Sequence, residues 1–305
     1  MDIQYINHSQ INKQSWDSAI KNSTNGLVYA VSWYLDIVSP NWDALIVDDY
    51  QYIMPIPIRK KLGRNFFYQP VFAHQLGVFS AKEITPEIVG AFIDEVSKQV
   101  DFIDIKLNNQ NPVPQKNIFY SRTTQILDLN KGYSEISTHY NRSLQSNLSK
   151  SKRVEFTYSV SENPEVLISL MHGMYKRKNV EGINSDDFSN LSKIIEHAIK
   201  NDIGKIYCAY LNDQICSAMF VLNWKDREYT FYGTNSLGRE KRSMVALMDY
   251  FIRENTAKNS FLDFCGSNIP GVAEWNLGFG AQNHIYYGVH LNNLPLWLKW
   301  TNRKH

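Results

Sequence analysis

The segment with the clearest chemical potential is TNSLGREKRS, residues 234–243, which precedes a helical pattern over 242–256. Backbone N–H groups at the start of a helix bind pyrophosphate, and cationic side chains add charge-assisted hydrogen bonds. Three cations at a helix start would oppose the helix dipole unless an anion were bound. The segment therefore predicts a phosphate site, and the alternative is a solvated turn with ordinary surface charge. The candidate ligands are Gly238, Arg239, Arg242 and Ser243.

Two other basic clusters are RKKLGR at 59–64 and KSKR at 150–153. In the first, Arg59, Lys60 and Lys61 are candidates for binding an anionic, phosphate-bearing substrate. The tip of a hairpin explains the same residues without a ligand. KSKR lies at the end of a predicted helix, where cations are favourable in any case.

Nucleophilic and metal chemistry find little support in the sequence. Cys265 follows a predicted strand, but no histidine or other base lies at a diagnostic spacing, so a buried packing residue is the better interpretation. The eight histidines form no HxxxH or HxH site, and the three cysteines form no CxxC pair. We therefore expect no metal cofactor and no disulfide framework.

Composition excludes several further classes. A hydrophobic content of 43%, a charged content of 20% and a formal charge of +2 are typical of a globular protein without a strong attraction to DNA. No apolar run of about 18 residues is present, so no integral membrane segment is predicted. The first residues, MDIQYINHSQINKQ, do not resemble a signal peptide. These features predict a cytoplasmic location.

Periodicity and turn residues predict a mixed α/β chain. Hairpins are predicted over 43–58 and 205–224, and helix–strand pairs over 86–107 and 242–266. The same order of elements in both halves indicates duplicated α/β modules, although chance similarity is a competing explanation. Residues 133–152 are predicted to be helical. We place a boundary between domains 1–130 and 131–305, the second carrying the candidate phosphate loop.

The segment LDFCGSNIPGVAEWNLGFGAQNHIYYGVHLNNLP, residues 262–295, resembles the C-terminal signature of FemABX-like proteins, a branch of the GNAT acetyltransferase superfamily. Residues 33–49 and 55–80 resemble the first domain of bacterial members, and 140–153 is similar to the helix that opens their second domain. The resemblance implies two tandem GNAT-like domains with an α/β fold, arranged around a mixed sheet.

The resemblance also implies transfer of an acyl group to an amine. The donor is an acyl-CoA such as acetyl-CoA in GNAT proteins. In FemABX enzymes it is an aminoacyl-tRNA, and the acceptor is a peptidoglycan precursor. The expected acceptor is accordingly a small-molecule or cell-wall-precursor amine. A catalytically inactive GNAT-fold binding module is the alternative from another class.

Under this resemblance, Asp263, Tyr232 and Glu274 are candidates for proton transfer, although alternation along a strand also explains the first two. Two positions depart from the family pattern. Arg242 stands where the acetyl-CoA loop has a small residue, and Trp275-Asn276 stands where many FemABX members have Phe-Lys. These departures leave the identity of the acyl donor open.

Overall fold

The structure is a computed structural model that describes residues 1–61, 63–265 and 268–295. Its internal contacts divide the chain into two units. The first contains residues 1–122 and the chain from Ile285 onward, and the second contains Thr123–His284. The chain enters the second unit inside one strand, between residues 122 and 123, and returns to the first inside the last described strand, between residues 284 and 285. The predicted boundary lay at 130–131.

The first unit combines two groups of strands with helices. The elements are β1 (Gln4–Ile6), α1 (Lys13–Asn22), α2 (Ser32–Val38), β2 (Asp43–Val47), β3 (Tyr52–Ile56), β4 (Ile58–Lys61), β5 (Arg64–Tyr68), β6 (Phe79–Ser80), α3 (Pro86–Val96), β7 (Phe102–Lys106), and parts of β8 (Phe119–Asp128) and β14 (Gln282–Asn292). One group of strands is an antiparallel sheet in the order β1–β2–β3–β6. In the other group, β4 pairs antiparallel with β5, β5 parallel with β7, and β7 antiparallel with β14.

Pro57 separates the two groups of strands. The chain is extended on both sides of it, but β3 pairs in the first sheet and β4 in the second group. Pro57 has no N–H to donate to a strand ladder and lies between β3 and β4, whereas Pro55 is accommodated within β3 opposite Ala44. The predicted hairpin at 43–58 is therefore confirmed for β2 and β3, whereas Ile58 already belongs to the next strand.

Helix α3 covers the core of the first unit. Thr85 caps its start by accepting a hydrogen bond from the N–H of Ile88, and Pro86 occupies the first turn. Val89, Phe92, Ile93 and Val96 are buried in one cluster with Ile103 and Ile105 of β7. Because these β7 residues alternate with Asp104 and Lys106, the two polar side chains belong to the opposite face of the strand.

The second unit is a mixed sheet with helices. Its strand order is β8–β13–β12–β11–β10–β9, and neighbours are antiparallel except for the parallel pair β12 and β13. Its further elements are α4 (Tyr133–Thr138), α5 (Arg142–Ser151), β9 (Thr157–Ser161), α6 (Glu165–Arg177), α7 (Ser185–Lys200), β10 (Gly204–Leu211), β11 (Gln214–Trp224), β12 (Arg227–Thr234), α8 (Ser236–Lys241), α9 (Ser243–Asn255), β13 (Phe261–Asp263) and α10 (Pro270–Gly278).

Local sequence explains several of these elements. Asn212 and Asp213 join β10 to β11 with φ of 48° and 60°, the left-handed pair that a tight hairpin requires. The helix predicted over 133–152 is instead two helices, because Asn141 accepts a hydrogen bond from the N–H of Leu144 and so begins α5 anew. Met219 and Val221 of β11 belong to the cluster that α9 completes.

Both units contain a similar order of elements, although β6 lies between β5 and α3 in the first and α8 lies between β12 and α9 in the second. In the first, the hairpin β4–β5 is followed by α3 and then by β7, which runs parallel to β5. In the second, the hairpin β11–β12 is followed by α9 and then by β13, which runs parallel to β12. The repeated helix–strand pattern in the sequence corresponds to α3–β7 and α9–β13.

No helix within the described ranges has both the length and the apolar character needed to cross a membrane.

Gly204 at the start of β10 allows close packing, and its replacement should destabilise the second unit. A Cβ there would lie 2.7 Å from the Cβ of Ala198 and 2.7 Å from a ring carbon of Phe220. We expect Gly204→Ala to lower the free energy of unfolding by about 1–3 kcal/mol, measured by urea denaturation. Gly271→Ala is the matched control, because a Cβ there meets no atom within 4 Å. Equal stability of the two variants would contradict the prediction.

Candidate functional site

The candidate site begins where two parallel strands separate. β12 and β13 pair only over residues 227–229 and 261–263. β13 then ends, whereas β12 continues to Thr234. Within the described residues, the edge of β12 over 230–234 therefore has no neighbouring strand on that side. Such an edge presents backbone N–H and C=O groups to a ligand.

A cavity of about 660 Å³ lies within the second unit at this free edge. Residues from β12, from the α8–α9 segment, from α10 and from the end of α6 line it, with one residue from α5. They are Asn147, Met174, Arg177, Lys178, Tyr232, Thr234, Ser236, Gly238, Arg239, Glu240, Arg242, Met244, Val245, Gly271, Val272 and Trp275. The lining therefore combines several cations with an apolar surface.

The predicted loop 234–243 contains a short helix, α8. Asn235 begins it, because its side chain accepts a hydrogen bond from the N–H of Gly238 at 2.8 Å and donates one to the carbonyl of Ile215 at 2.7 Å. Arg239 and Lys241 lie in the last turn of α8, where cations are favourable. The prediction that three cations crowd a helix start is therefore wrong, since α8 intervenes.

Arg242 joins α8 to α9 in a left-handed conformation, with φ of 66°. Its guanidinium donates to the carbonyls of Arg239 at 2.9 Å and Glu240 at 2.6 Å, and to the side-chain oxygen of Asn147 at 3.1 Å. The side chain thus caps the C-terminal end of α8. Residue 242 thus has a backbone conformation that glycine adopts more easily than other residues.

Gly238 and Ser243, two predicted phosphate ligands, are engaged in packing. A Cβ at Gly238 would lie 2.2 Å from the carbonyl oxygen of Cys216, so only glycine lets α8 approach β11. The hydroxyl of Ser243 is buried and lies 2.5 Å from that of Ser217, which donates to Thr234 at 2.8 Å. Gly238 lines the cavity, but Ser243 is not among the lining residues.

The start of α9 lies beside the cavity and carries backbone N–H groups that no intrahelical carbonyl accepts from. No side chain caps this end, and the intrahelical ladder begins with the N–H of Ala246. The three preceding N–H groups, of residues 243–245, have no intrahelical acceptor. Met244 and Val245 both line the cavity. With Arg177, Lys178 and Arg239 also in the lining, this end of the cavity is suited to an anion.

Two aromatic residues, Tyr232 and Trp275, also line the cavity. The rings of Tyr232 and Trp275 lie 5.2 Å apart, and Trp275 also contacts Phe279 at 4.9 Å between ring centroids. Burial raises the pKa of Tyr232 to about 12. The phenol is therefore protonated at neutral pH and can donate a hydrogen bond or a proton.

Asn276 points into the interior and does not line the cavity. Its side-chain amide donates to Gln125 at 3.0 Å, and Gln125 donates to Asn283 at 3.0 Å. The side-chain oxygen of Asn276 is buried without a hydrogen-bond partner. The residue that stands where FemABX members have lysine thus belongs to a chain of buried amides.

Asp263 and Glu274, the predicted acid–base residues, are also outside the lining of the cavity. Asp263 is 2% exposed, accepts from Thr124 at 3.2 Å and from the N–H of Cys265 at 2.8 Å, and lies 3.4 Å from Arg227. Burial raises its pKa, although Arg227 acts in the opposite direction. Glu274 is an exposed residue of α10.

The predicted substrate cluster belongs to the first unit. Arg59 and Lys60 are exposed on β4, at the β4–β5 hairpin. The side chain of Lys61 and residues Gly266 and Ser267 lie outside the described part of the chain. Cys265 is half-buried with φ of 53°, and its thiol contacts the carbonyl of Asp263 at 3.6 Å. Within the described ranges, no group of His, Cys, Asp and Glu side chains could hold a metal ion.

Sequence reasoning missed the cations at the end of α6. Arg177 donates a hydrogen bond to the carbonyl of Thr234, on the free part of β12, and Lys178 lies beside it in the lining. The run KRK at 176–178 was the available signal. A cationic run at a helix C-terminus is common, so local sequence does not distinguish this one from others.

Comparison with known proteins identifies the fold. No protein-family model matches the chain, and no curated protein does. The crystal structure of FemX superposes with a TM-score of 0.65 at 12% sequence identity, over 99% of this chain and 100% of FemX. The chain has the fold of FemX.

Two other solved structures show the same fold. A GNAT-family acetyltransferase from Colwellia psychrerythraea has a TM-score of 0.52 at 8% identity, over 96% of this chain and 100% of its own. The C-terminal domain of a putative lysylphosphatidylglycerol synthetase from Agrobacterium fabrum has a TM-score of 0.52 at 11% identity, over 84% and 85%. The predicted α/β fold with tandem GNAT-like domains is confirmed.

The backbone conformation of Arg242 gives a direct test of the α8–α9 segment. Arg242→Ala and Arg242→Gly remove the same guanidinium contacts, but only glycine adopts a φ of 66° without strain. We expect Arg242→Gly to be more stable than Arg242→Ala by about 1 kcal/mol in urea unfolding. The same comparison at Glu240, inside α8, should favour alanine by a similar amount. Greater stability of Arg242→Ala would contradict the left-handed conformation.

Proposed function

We propose that the protein is an N-acyltransferase that transfers an acyl group from a CoA thioester to an amine. The observation that carries the proposal is the free edge of β12 beside the uncapped start of α9, at a cavity rimmed by Arg177, Lys178 and Arg239. Backbone donors at the helix start suit the pyrophosphate of CoA, and the cations add to its binding. The free strand edge suits the amide groups of the donor's arm and the thioester carbonyl.

The proposed reaction needs no covalent intermediate on the enzyme. The amine nitrogen attacks the thioester carbonyl, the C–N bond forms and the C–S bond breaks, and the proton that the amine loses ends on the leaving thiolate. Tyr232 lines the cavity, and its hydroxyl, which is protonated at neutral pH, can relay this proton by donating its own to the thiolate while it receives the one from the amine. Glu240 is the carboxylate among the lining residues, and it is paired with Lys241 at 2.8 Å. We therefore infer that the acceptor enters as the neutral amine.

A second candidate is aminoacyl transfer from tRNA to a cell-wall precursor. It is supported by the higher TM-score with FemX, 0.65, than with the GNAT-family acetyltransferase, 0.52, and by Arg242 in place of the small residue of the acetyl-CoA loop. The buried, uncharged Asn276 supports neither transfer reaction and is the main feature in favour of an inactive binding module.

Calorimetric titration with acetyl-CoA and with a longer acyl-CoA tests the proposed donor. We expect saturable binding that Arg239→Ala weakens about tenfold, because a hydrogen bond to a charged group contributes about 1.5–3 kcal/mol. Lys241→Ala is the matched control: Lys241 pairs with Glu240 at the surface, does not line the cavity, and should change binding less than threefold.

The same titrations separate the alternatives. Binding of charged tRNA that weakens steeply with salt, without binding of any acyl-CoA, would favour aminoacyl transfer and contradict our proposal. Failure of both donors to bind at millimolar concentration would favour the inactive module. If Arg239→Ala and Lys241→Ala weakened acyl-CoA binding equally, the donor would bind outside the cavity.

The role of Tyr232 can be separated from donor binding. We expect Tyr232→Phe to lower kcat about a hundredfold, because a positioned proton donor typically contributes that much, and to leave acyl-CoA binding unchanged. Tyr158→Phe is the control, since that ring stacks on Tyr250 at 4.4 Å and does not line the cavity. Full activity of Tyr232→Phe would exclude it as the proton donor.

A further inference from the structure

One face of β7 in the first unit carries a group of charged and aromatic side chains that the proposed reaction does not use. The opposite face packs on α3 through Ile103 and Ile105. The group consists of Asp104 and Lys106 from β7, His74 from the segment beside it, Tyr120 and Arg122 from β8, and Tyr286 from β14. All of these residues belong to the first unit.

Backbone and side-chain contacts fix the group. Gln69 accepts from the N–H of Lys106 at 2.9 Å, and the N–H of Leu76 donates to the carbonyl of Lys106 at 2.8 Å, which holds the segment around His74 against β7. The ring of Tyr120 lies over Gly288, where a Cβ would approach it to 2.2 Å. Gly288 is the register partner of Lys106, so the missing side chain gives Tyr120 its place beside the lysine.

The two cations of the group lack a carboxylate partner. No ion pair within 4.0 Å involves Lys106 or Arg122 among the described residues. The guanidinium of Arg122 donates to the hydroxyl of Tyr286 at 3.3 Å and lies 6.0 Å from the centre of the Tyr120 ring. Asp104 is the nearby acid, but Tyr120 donates to it at 3.4 Å and His290 lies 4.0 Å away. Half-buried cations of this kind are costly unless an anion compensates them.

His74 adds a buried polar atom without a partner. Its ring lies 5.5 Å from that of Tyr286, and its Nε2 is buried with no hydrogen-bond partner. Burial, Lys106 and Arg122 together lower the pKa of His74 to about 3, so the imidazole is neutral at physiological pH. A neutral imidazole can present an N–H at this nitrogen. Burial and Arg122 likewise lower the pKa of Lys106, and Asp104 opposes this change.

We propose that His74, Lys106 and Arg122 form a binding site for an oxyanion, the phosphate or carboxylate group of a ligand. Lys106 and Arg122 supply the charge, His74 supplies a hydrogen bond, and the rings of Tyr120 and Tyr286 form apolar walls. An oxyanion would satisfy the unpartnered nitrogen and compensate both cations at once. The site does not rest on the proposed acyl transfer, because all of its residues lie in the first unit and the donor cavity lies in the second.

Binding of pyrophosphate, inorganic phosphate and succinate to the full chain tests the site. We expect saturable binding that weakens with added NaCl and falls at least about tenfold in Lys106→Met and in Arg122→Gln. Lys116→Met is the matched control, because Lys116 pairs with Asp94 on the surface of the same unit at 2.8 Å. Tighter binding of the phosphates than of succinate would identify a phosphate-bearing ligand, and the reverse order a carboxylate.

An NMR titration of the wild-type chain tests the site even if the variants fold poorly. In the wild-type chain, the imidazole NMR signal of His74, assigned with His74→Gln, should move on addition of the anion, whereas the signals of His172 and His197 in the second unit should not. Absence of saturable binding at millimolar anion would overturn the proposal. Anion binding that is unchanged in a folded Lys106→Met variant would also overturn it. Loss of anion binding in Lys60→Met instead would place the anion at the β4–β5 hairpin and would likewise overturn the proposal.

Discussion

The candidate donor cavity depends on the point at which β13 stops, and Asp263 fixes that point. Its buried carboxylate accepts from Thr124 of β8 and from the N–H of Cys265, and it pairs with Arg227 at the start of β12. One side chain therefore connects three neighbouring strands at the last paired position of β13. Breaking a buried ion pair by removing one partner costs about 3–5 kcal/mol. The free edge of β12, the cavity and α10 all follow this junction, so Asp263 has a structural role whether or not it also moves a proton.

The corner between α8 and α9 determines which cations remain available to a ligand. Arg242 is committed to the carbonyls at the end of α8, and Lys241 is paired with Glu240. Arg239 has no ion-pair partner among the described residues and lines the cavity with Arg177 and Lys178. The site thus differs from the arrangement that the sequence predicted, although it lies at the same position in the chain. The change follows from Asn235, whose side chain begins a short helix where an open loop was predicted.

The parts of the fold that could be predicted from the sequence are those that depend on residues close to one another along the chain. The Asn212-Asp213 turn and the Pro86 helix start follow from backbone preferences, and the repeated helix–strand order reflects apolar periodicity. Gly238 was predicted as a phosphate ligand, which stays a prediction, whereas its close packing against the carbonyl of Cys216 was not predicted, because Cys216 lies on another strand. The group around His74, Lys106 and Arg122 was not predicted, because it combines three chain segments whose proximity no local pattern reveals. The interior position of Asn276 likewise depends on Gln125, from a distant strand.

The return of β14 to the first unit affects how the protein is made. β7 ends at Lys106, and its neighbour β14 begins at Gln282, so the first unit lacks one of its strands until the second unit has been synthesised. The second unit, Thr123–His284, is a continuous stretch of chain and contains most of its own strand pairs. Pairing between strands that are far apart in sequence closes a large loop and is slow. Until it occurs, the unpaired edge of a strand is prone to aggregation. The strands of the first unit that precede residue 123 are thus synthesised before the second unit but gain β14 only after it.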